Sequence, residues 1–355
     1  MLDYSSFSSV LRTFSVDKAR QIRTVKTICQ LVGKDELFLK DLLYRNNYKT
    51  YKISKRTGGF RVINAPNEPL KQIQEILAEH LLIFYRSWMM GLKSIESTWG
   101  EIKPPYGGYT LNFEEGKSPI LTNAEVHLGK KYLLKLDIKD FYSSLCTEDI
   151  VHMFQWKLGT DPEAAYLLTL LCTFKDEMPT GAPTSSVVSE LIMHDFDYLV
   201  SLWLKQRDGW TYSRYADDIC ISSDYPLDVS FITFFIGQQL EEYGLSLNEK
   251  KTKYFGPHQA KYVTGVKVNE KPNVNRRYIR NLRAILHDWE KNGSFSASER
   301  YVDQFSKFNY SSYEGRENLF KESVKGKINW VGQVRGMSDG VYLGLKKKYT
   351  KMISV

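Results

Sequence analysis

The sequence predicts an α+β protein in which helices accompany an antiparallel sheet, and three observations carry that reading. Trp210–Arg214 and Ile219–Ser222 are strand-like runs separated by the tight turn Tyr215-Ala216-Asp217-Asp218, which makes them a hairpin. The run Lys131–Leu136 reads as a buried strand that ends in an acid, Asp137. Helical periodicity appears in Leu70–Leu82, and in Asn275–Leu286 it sets Ile279, Leu282 and Leu286 on one face.

The turn carries the most chemistry. Two neighbouring carboxylates repel one another, and a cation offsets that repulsion. Oxygen ligands of this kind suit magnesium, a hard ion. In isolation an Asp-Asp turn is more often a solvated loop, so the third carboxylate matters. Nucleotidyl transfer by two ions needs carboxylates on adjacent strands to hold them about 3.5–4 Å apart. Asp137 and Asp217 are expected to hold two Mg2+ ions, Asp218 to support them, and the backbone carbonyl of Ile138 to add a ligand. Tyr142, five residues after Asp137, is expected to lie under an incoming sugar and collide with a 2′-hydroxyl; its plain alternative is core packing.

Other residues suit a triphosphate. The segment Lys55–Ile63 has glycines at its tip, so it can fold over phosphates with Lys55 as a point charge and Arg61 as a bidentate fork, or else be a charged surface hairpin. Gly181 is expected to let the backbone approach a base pair or sugar. Lys251 is expected to approach the pyrophosphate or protonate it, against the alternative of a solvated lysine.

In that order the motifs resemble those of reverse transcriptases, from about residue 45 to the C-terminus. Lys55–Ile63 is similar to the fingers hairpin, Asp137–Tyr142 to the first palm motif, and Met178–Ser185, with Gly181, Ala182 and Pro183, to the template and nucleotide loop. Tyr215–Asp218 is similar to the catalytic turn and Gly244–Thr252 to the next palm motif. Asn123-Ala124-Glu125-Val126-His127 resembles the NAxxH element of bacterial retron enzymes, and Val263-Thr264-Gly265 their VTG element. Thr180 stands where the family usually has glutamine, so whatever contact that amide makes is altered.

The resemblance implies a right-hand polymerase with fingers, an antiparallel-sheet palm and a helical thumb. It implies RNA-templated addition of dNTPs to a primer hydroxyl, and a structured non-coding RNA of the msr-msd type as template. Such enzymes prime from a guanosine 2′-hydroxyl, make branched msDNA, and act with an effector protein from the same operon in antiphage defence. Two other readings stay open: a different defence-associated or group II intron-like reverse transcriptase, and a nucleic-acid-binding scaffold that restrains an effector toxin.

Composition agrees with a large globular chain. At 355 residues two or three subdomains are expected, and 42% apolar content is that of a folded protein. Expected divisions are an N-terminal helical extension over 1–40, interleaved fingers and palm over 41–265, and a basic thumb over 266–355. That last segment holds 18 Lys and Arg against 9 Asp and Glu, a surplus of +9 where the whole chain has +8. Such concentration predicts phosphate contacts, with Arg276, Arg277, Arg280, Arg283 and Lys327 as candidate RNA-binding residues beside Asn123 and His127. Four cysteines without CxxC spacing predict free thiols rather than a zinc site. No apolar run approaches about 18 residues and no signal peptide is visible, so a cytoplasmic protein without a membrane partner is expected. The chain is also expected to leave no room for an RNase H or endonuclease domain after the thumb.

Overall fold

The structure is a computed structural model that describes residues 22–54, 58–96, 106–107, 118–301 and 313–354. Helices α1 (Val25–Val32) and α2 (Glu36–Tyr44) precede the hairpin of β1 (Tyr48–Ser54) and β2 (Phe60–Pro66). The long α3 (Glu68–Glu96), β3 (Tyr106–Gly107), α4 (Pro119–Glu125) and β4 (Tyr132–Asp137) follow. Next come α5 (Phe141–Ser144), α6 (Thr147–Met153), α7 (Pro162–Cys172) and α8 (Ser185–Lys205). The hairpin around the acidic turn is β5 (Thr211–Tyr215) and β6 (Asp218–Ser223), followed by α9 (Val229–Glu241) and β7 (Lys253–Phe255). The chain then forms β8 (Tyr262–Val263), β9 (Val266–Lys267), α10 (Arg276–Arg300), α11 (Tyr313–Arg335) and α12 (Gly340–Ile353).

Two compact units share the chain. One comprises Met1–Asn112 with Tyr132–Tyr254, the other Phe113–Lys131 with Phe255–Val355. In the first, the strands run in the order β3-β5-β6-β4-β7. The β5–β6 and β6–β4 pairs are antiparallel, as expected, but the two-residue β3 joins β5 in parallel. Its orientation is open to it because about a hundred residues separate it from β5, far more than a hairpin connection. Leu134 and Leu136 of β4 and Ile219 and Ile221 of β6 are buried in one core with Val188, Leu191 and Phe196 of α8. Packing of these apolar side chains fixes where the two strands end, and with them the acids at those ends.

In the second unit α4 lies by the β8–β9 hairpin, whose two-residue turn uses positive φ at Thr264 (48°) and Gly265 (88°). Both central residues of a tight hairpin turn of this hand need that region, which glycine enters freely and threonine does not. Helix α10 is broken at Gly293, whose φ of 78° and ψ of 160° are not helical. All four cysteines are free thiols. Among the described residues no helix is long and apolar enough to cross a membrane.

Candidate active site

The antiparallel register sets Asp137, the last residue of β4, opposite Asp218, the first of β6. Directly opposed residues project to the same face, so the two acids share it. Asp217 lies in the two-residue connection closed by the Tyr215–Asp218 pair. Its carbonyl accepts the Ile138 N–H at 2.9 Å, so the turn and the end of β4 are joined by main chain. Ala216 takes a φ of 55°, uncommon for a residue with a side chain. The Arg214 guanidinium donates to its carbonyl at 3.1 Å.

The segment after α9 completes the site. Lys139 N–H donates to the Ser246 carbonyl at 2.9 Å and Asn248 N–H to the Asp137 carbonyl at 2.7 Å, flanking an antiparallel bridge between Ile138 and Leu247. Because those flanking bonds use Asp137, Lys139 and their partners, the polar groups of Ile138 face away from Leu247, toward the turn. A 3-10 turn at Glu249–Lys251 then brings Lys251 Nζ to both Asp137 carboxylate oxygens, at 2.8 and 2.9 Å. This lysine stands against the acid itself, a more specific position than the pyrophosphate role expected of it. On the other side Lys135 Nζ lies 3.8 Å from Asp218 Oδ2.

The electrostatics follow from burial. Asp137 is only 7% exposed. Burial, and then the charges of Asp137 and Asp218, raise the Asp217 carboxyl above the ordinary aspartate value. The hydrogen bond to Asp137 raises Lys251. Tyr142, beside Phe141 in α5, is pushed up to about 12 chiefly by burial. Among the described residues no three His, Cys, Asp or Glu side chains form a ready metal cluster, and Asp137 is turned to the ammonium of Lys251. The donor set nevertheless fits a hard divalent cation: three carboxylates, one already drawing a cation and one burdened by unbalanced negative charge.

The loop at Met178–Ser185 packs on the β1–β2 hairpin. Asn64 N–H donates to the Thr180 carbonyl at 2.9 Å. Gly181 has a φ of 117°, and a Cβ there would meet Ile63 Cγ2 at 2.8 Å and the Asn64 carbonyl oxygen at 3.3 Å. The close approach expected of Gly181 toward a base pair or sugar is here made to β2. Ser185 Oγ donates to the Pro179 carbonyl at 2.7 Å, which closes the loop around Ala182 and Pro183 onto the start of α8. Arg61 is exposed on β2, opposite Ile53; Lys55 lies outside the described residues.

The RNA-contact candidates divide. Arg276, Arg277, Arg280 and Arg283 lie on the first turns of α10, around a cavity also lined by Arg335. Lys327 is half-buried on α11, and burial lowers its pKa. Asn123 and His127 are 1% and 0% exposed, so as they stand neither side chain reaches a surface. Both belong to the joint where Thr264 Oγ1 donates to the Ile120 carbonyl at 2.9 Å and Gly129 N–H to the Val268 carbonyl at 3.0 Å. The sequence groups these two with the arginines on the resemblance of Asn123–His127 to the NAxxH element, and a five-residue motif does not reveal burial.

One group escapes the sequence reading altogether: Arg214 with Glu190 and Asp197, buried behind the turn. Its only signal is an arginine just before the turn and two acids seven apart on one helix face.

Comparison with known proteins follows the same residues. Residues 53–268 match the family described as reverse transcriptase (RNA-dependent DNA polymerase). The chain is 33% identical over 180 residues to the retron Ec86 reverse transcriptase of Escherichia coli, covering 50% of this chain and 55% of that one. It is 28% identical over 275 residues to the retron Mx65 reverse transcriptase of Myxococcus xanthus, covering 72% and 59%. It thus spans little more than half the length of these curated relatives. Among solved structures, telomerase from Candida albicans aligns over 88% of this chain and 64% of its own, at 11% identity and a TM-score of 0.45. Since the matched segment exceeds half its length and contains every palm motif, the chain belongs to the reverse transcriptase (RNA-dependent DNA polymerase) family and shares its right-hand fold.

Proposed function

We propose that the protein is a retron-type reverse transcriptase: an RNA-directed DNA polymerase that copies a structured non-coding RNA, from a guanosine 2′-hydroxyl primer, into branched msDNA. The observation that carries this reading is the meeting of Asp137, Asp217 and Asp218 at one end of the sheet, through the Asp137–Asp218 register and the Ile138–Asp217 main-chain bond.

Asp137, Asp217, Asp218 and the Ile138 carbonyl would hold two Mg2+ ions. Such ions, when bound, make the primer hydroxyl more acidic and neutralise charge on the departing pyrophosphate. The chain's own residues do the rest. Lys251 balances Asp137 in the resting site and, once released from it, is a proton donor for pyrophosphate. The ring of Tyr142 excludes a 2′-hydroxyl, Arg61 and Lys55 close over the triphosphate, and Gly181, Ala182 and Pro183 shape the pocket for the templated dNTP.

For RNA, the arginines of α10 carry the argument. The N-terminal end of a helix has positive partial charge and disfavours cations, yet no acid lies in the first turn of α10 and four arginines crowd its start. An anionic partner relieves that repulsion, and a phosphate backbone supplies it along the whole patch. Lys327 adds charge nearby, while Asn123 and His127 act through the joint they hold. Division of the chain into an N-terminal extension, fingers with palm, and thumb, a cytoplasmic location, and an effector from the same operon complete the proposal.

The test is to purify the protein with its nucleic acid, treat that with RNase, DNase and debranching enzyme separately, and supply primed RNA with dNTPs and Mg2+. A short DNA joined 2′ to 5′ to RNA, and extension lost in Asp217→Ala, are expected. RNA binding without any extension would refute polymerisation and leave the scaffold reading. Extension accompanied only by linear nucleic acid would refute the retron assignment.

A further inference from the structure

Arg214 is fully buried one residue before the turn, on β5. Its Nε and Nη2 donate to the two oxygens of Asp197 at 2.9 and 2.6 Å, and Nη1 and Nη2 to the two oxygens of Glu190 at 3.1 and 3.0 Å. Tyr212 Oη donates to Asp197 as well, at 2.6 Å. Nη1 reaches past this network to the Ala216 carbonyl at 3.1 Å. A guanidinium carries its N–H donors in a rigid plane, and these contacts hold that plane fixed from two sides.

Both acids belong to α8, seven residues apart and therefore on one face of the helix. The same helix begins directly after the nucleotide loop at Met178–Thr184. The arginine thus connects two things that nucleotide addition must keep in register: the turn that carries Asp217 and the helix that carries the loop. A hydrophobic residue would fill the volume of Arg214 but would leave two buried carboxylates uncompensated and the Ala216 carbonyl unheld.

We propose that Arg214, locked by Glu190 and Asp197, is a positioning residue for nucleotide addition: through the Ala216 carbonyl it sets the catalytic turn at a fixed distance from the nucleotide loop. The inference rests on the polymerase reading above. Misplacement of a reacting group by about 1 Å costs on the order of 100-fold in rate, which sets the scale of the expected effect.

The experiment compares wild type with Arg214→Met, Arg214→Lys and Glu190→Gln in single-turnover addition of one dNTP to primed RNA, with enzyme in excess. Amplitude counts competent molecules, whereas the rate constant reports their geometry. We expect the rate constant to fall about 100-fold in Arg214→Met and about 10-fold in Arg214→Lys, with full amplitude and unchanged affinity for primed RNA. Hydrogen exchange of the same proteins should quicken at residues 215–218. Wild-type rate constants with wild-type exchange would overturn the inference, as would a fall in amplitude alone, which is the signature of a purely structural role. If Arg214→Met does not fold, Arg214→Lys and Glu190→Gln carry the test, since each keeps part of the network. Should wild type itself add no nucleotide, the functional reading fails, while exchange at the turn still decides whether Arg214 holds it.

Discussion

Asp217 is stabilised less by this fold than an exposed aspartate would be. Burial and the charges of Asp137 and Asp218 raise its carboxyl above the value of the unfolded chain, so the folded protein binds that proton more readily. In metal-free protein its contribution to stability therefore grows as pH falls through the raised folded value and declines as pH rises toward neutrality. Asp217→Asn should accordingly raise the melting temperature in EDTA at pH 7, by about 2 °C for about 1 kcal/mol, while primer extension falls about 1000-fold or more. A lowered melting temperature would refute the charge imbalance. Tyr142 makes a separate prediction. Removing its ring in Tyr142→Ala should raise incorporation of ribonucleotides relative to deoxynucleotides by about 10- to 100-fold in competing single-nucleotide additions. The three acids were legible in the sequence as strand-end and turn residues, because strand ends and turn spacing are local, whereas Tyr142 packs against the core, the plain alternative the sequence offered for it. The partner of Asp137 was not legible: Lys251 lies 114 residues away.

The hairpin of β1 and β2 and the loop before α8 meet at Thr180 and Gly181. The positive φ of Gly181 and the 2.8 Å that would separate any Cβ there from Ile63 Cγ2 both exclude a side chain. Gly181→Ala should cost about 1–3 kcal/mol in denaturant unfolding and raise the KM for dNTP. Adding Ile63→Ala removes the clash but not the backbone strain, so the double variant should recover part of the loss; strict additivity would show that the contact is irrelevant. At this scale the sequence was informative about which elements exist. The strands β4, β5 and β6 and the amphipathic starts of α3 and α10 all appear, since side-chain periodicity reports them. It was silent on the parallel edge strand β3 and on the break of α10 at Gly293, because pairing direction and a single glycine's dihedral angles depend on what surrounds them.

Across the whole chain, charge is divided unevenly: the surplus lies in residues 266–355, and the first 265 are close to neutral. Binding of primed RNA should therefore depend steeply on salt. Replacing Arg276, Arg277, Arg280 and Arg283 together by alanine should reduce the slope of log Kd against log salt by about 3, measured between about 50 and 200 mM. An unchanged slope would place the phosphate contacts elsewhere. By itself the sequence determined the fold class, the order of the motifs, the three acids and this asymmetry, all of them properties of local pattern or of composition. Only the tertiary structure decided that Lys251 faces Asp137, that Arg214 with Glu190 and Asp197 backs the turn, and that Asn123 and His127 are buried. Those outcomes depend on which distant segments pack together and in what register, and a chain's local periodicity carries no record of either.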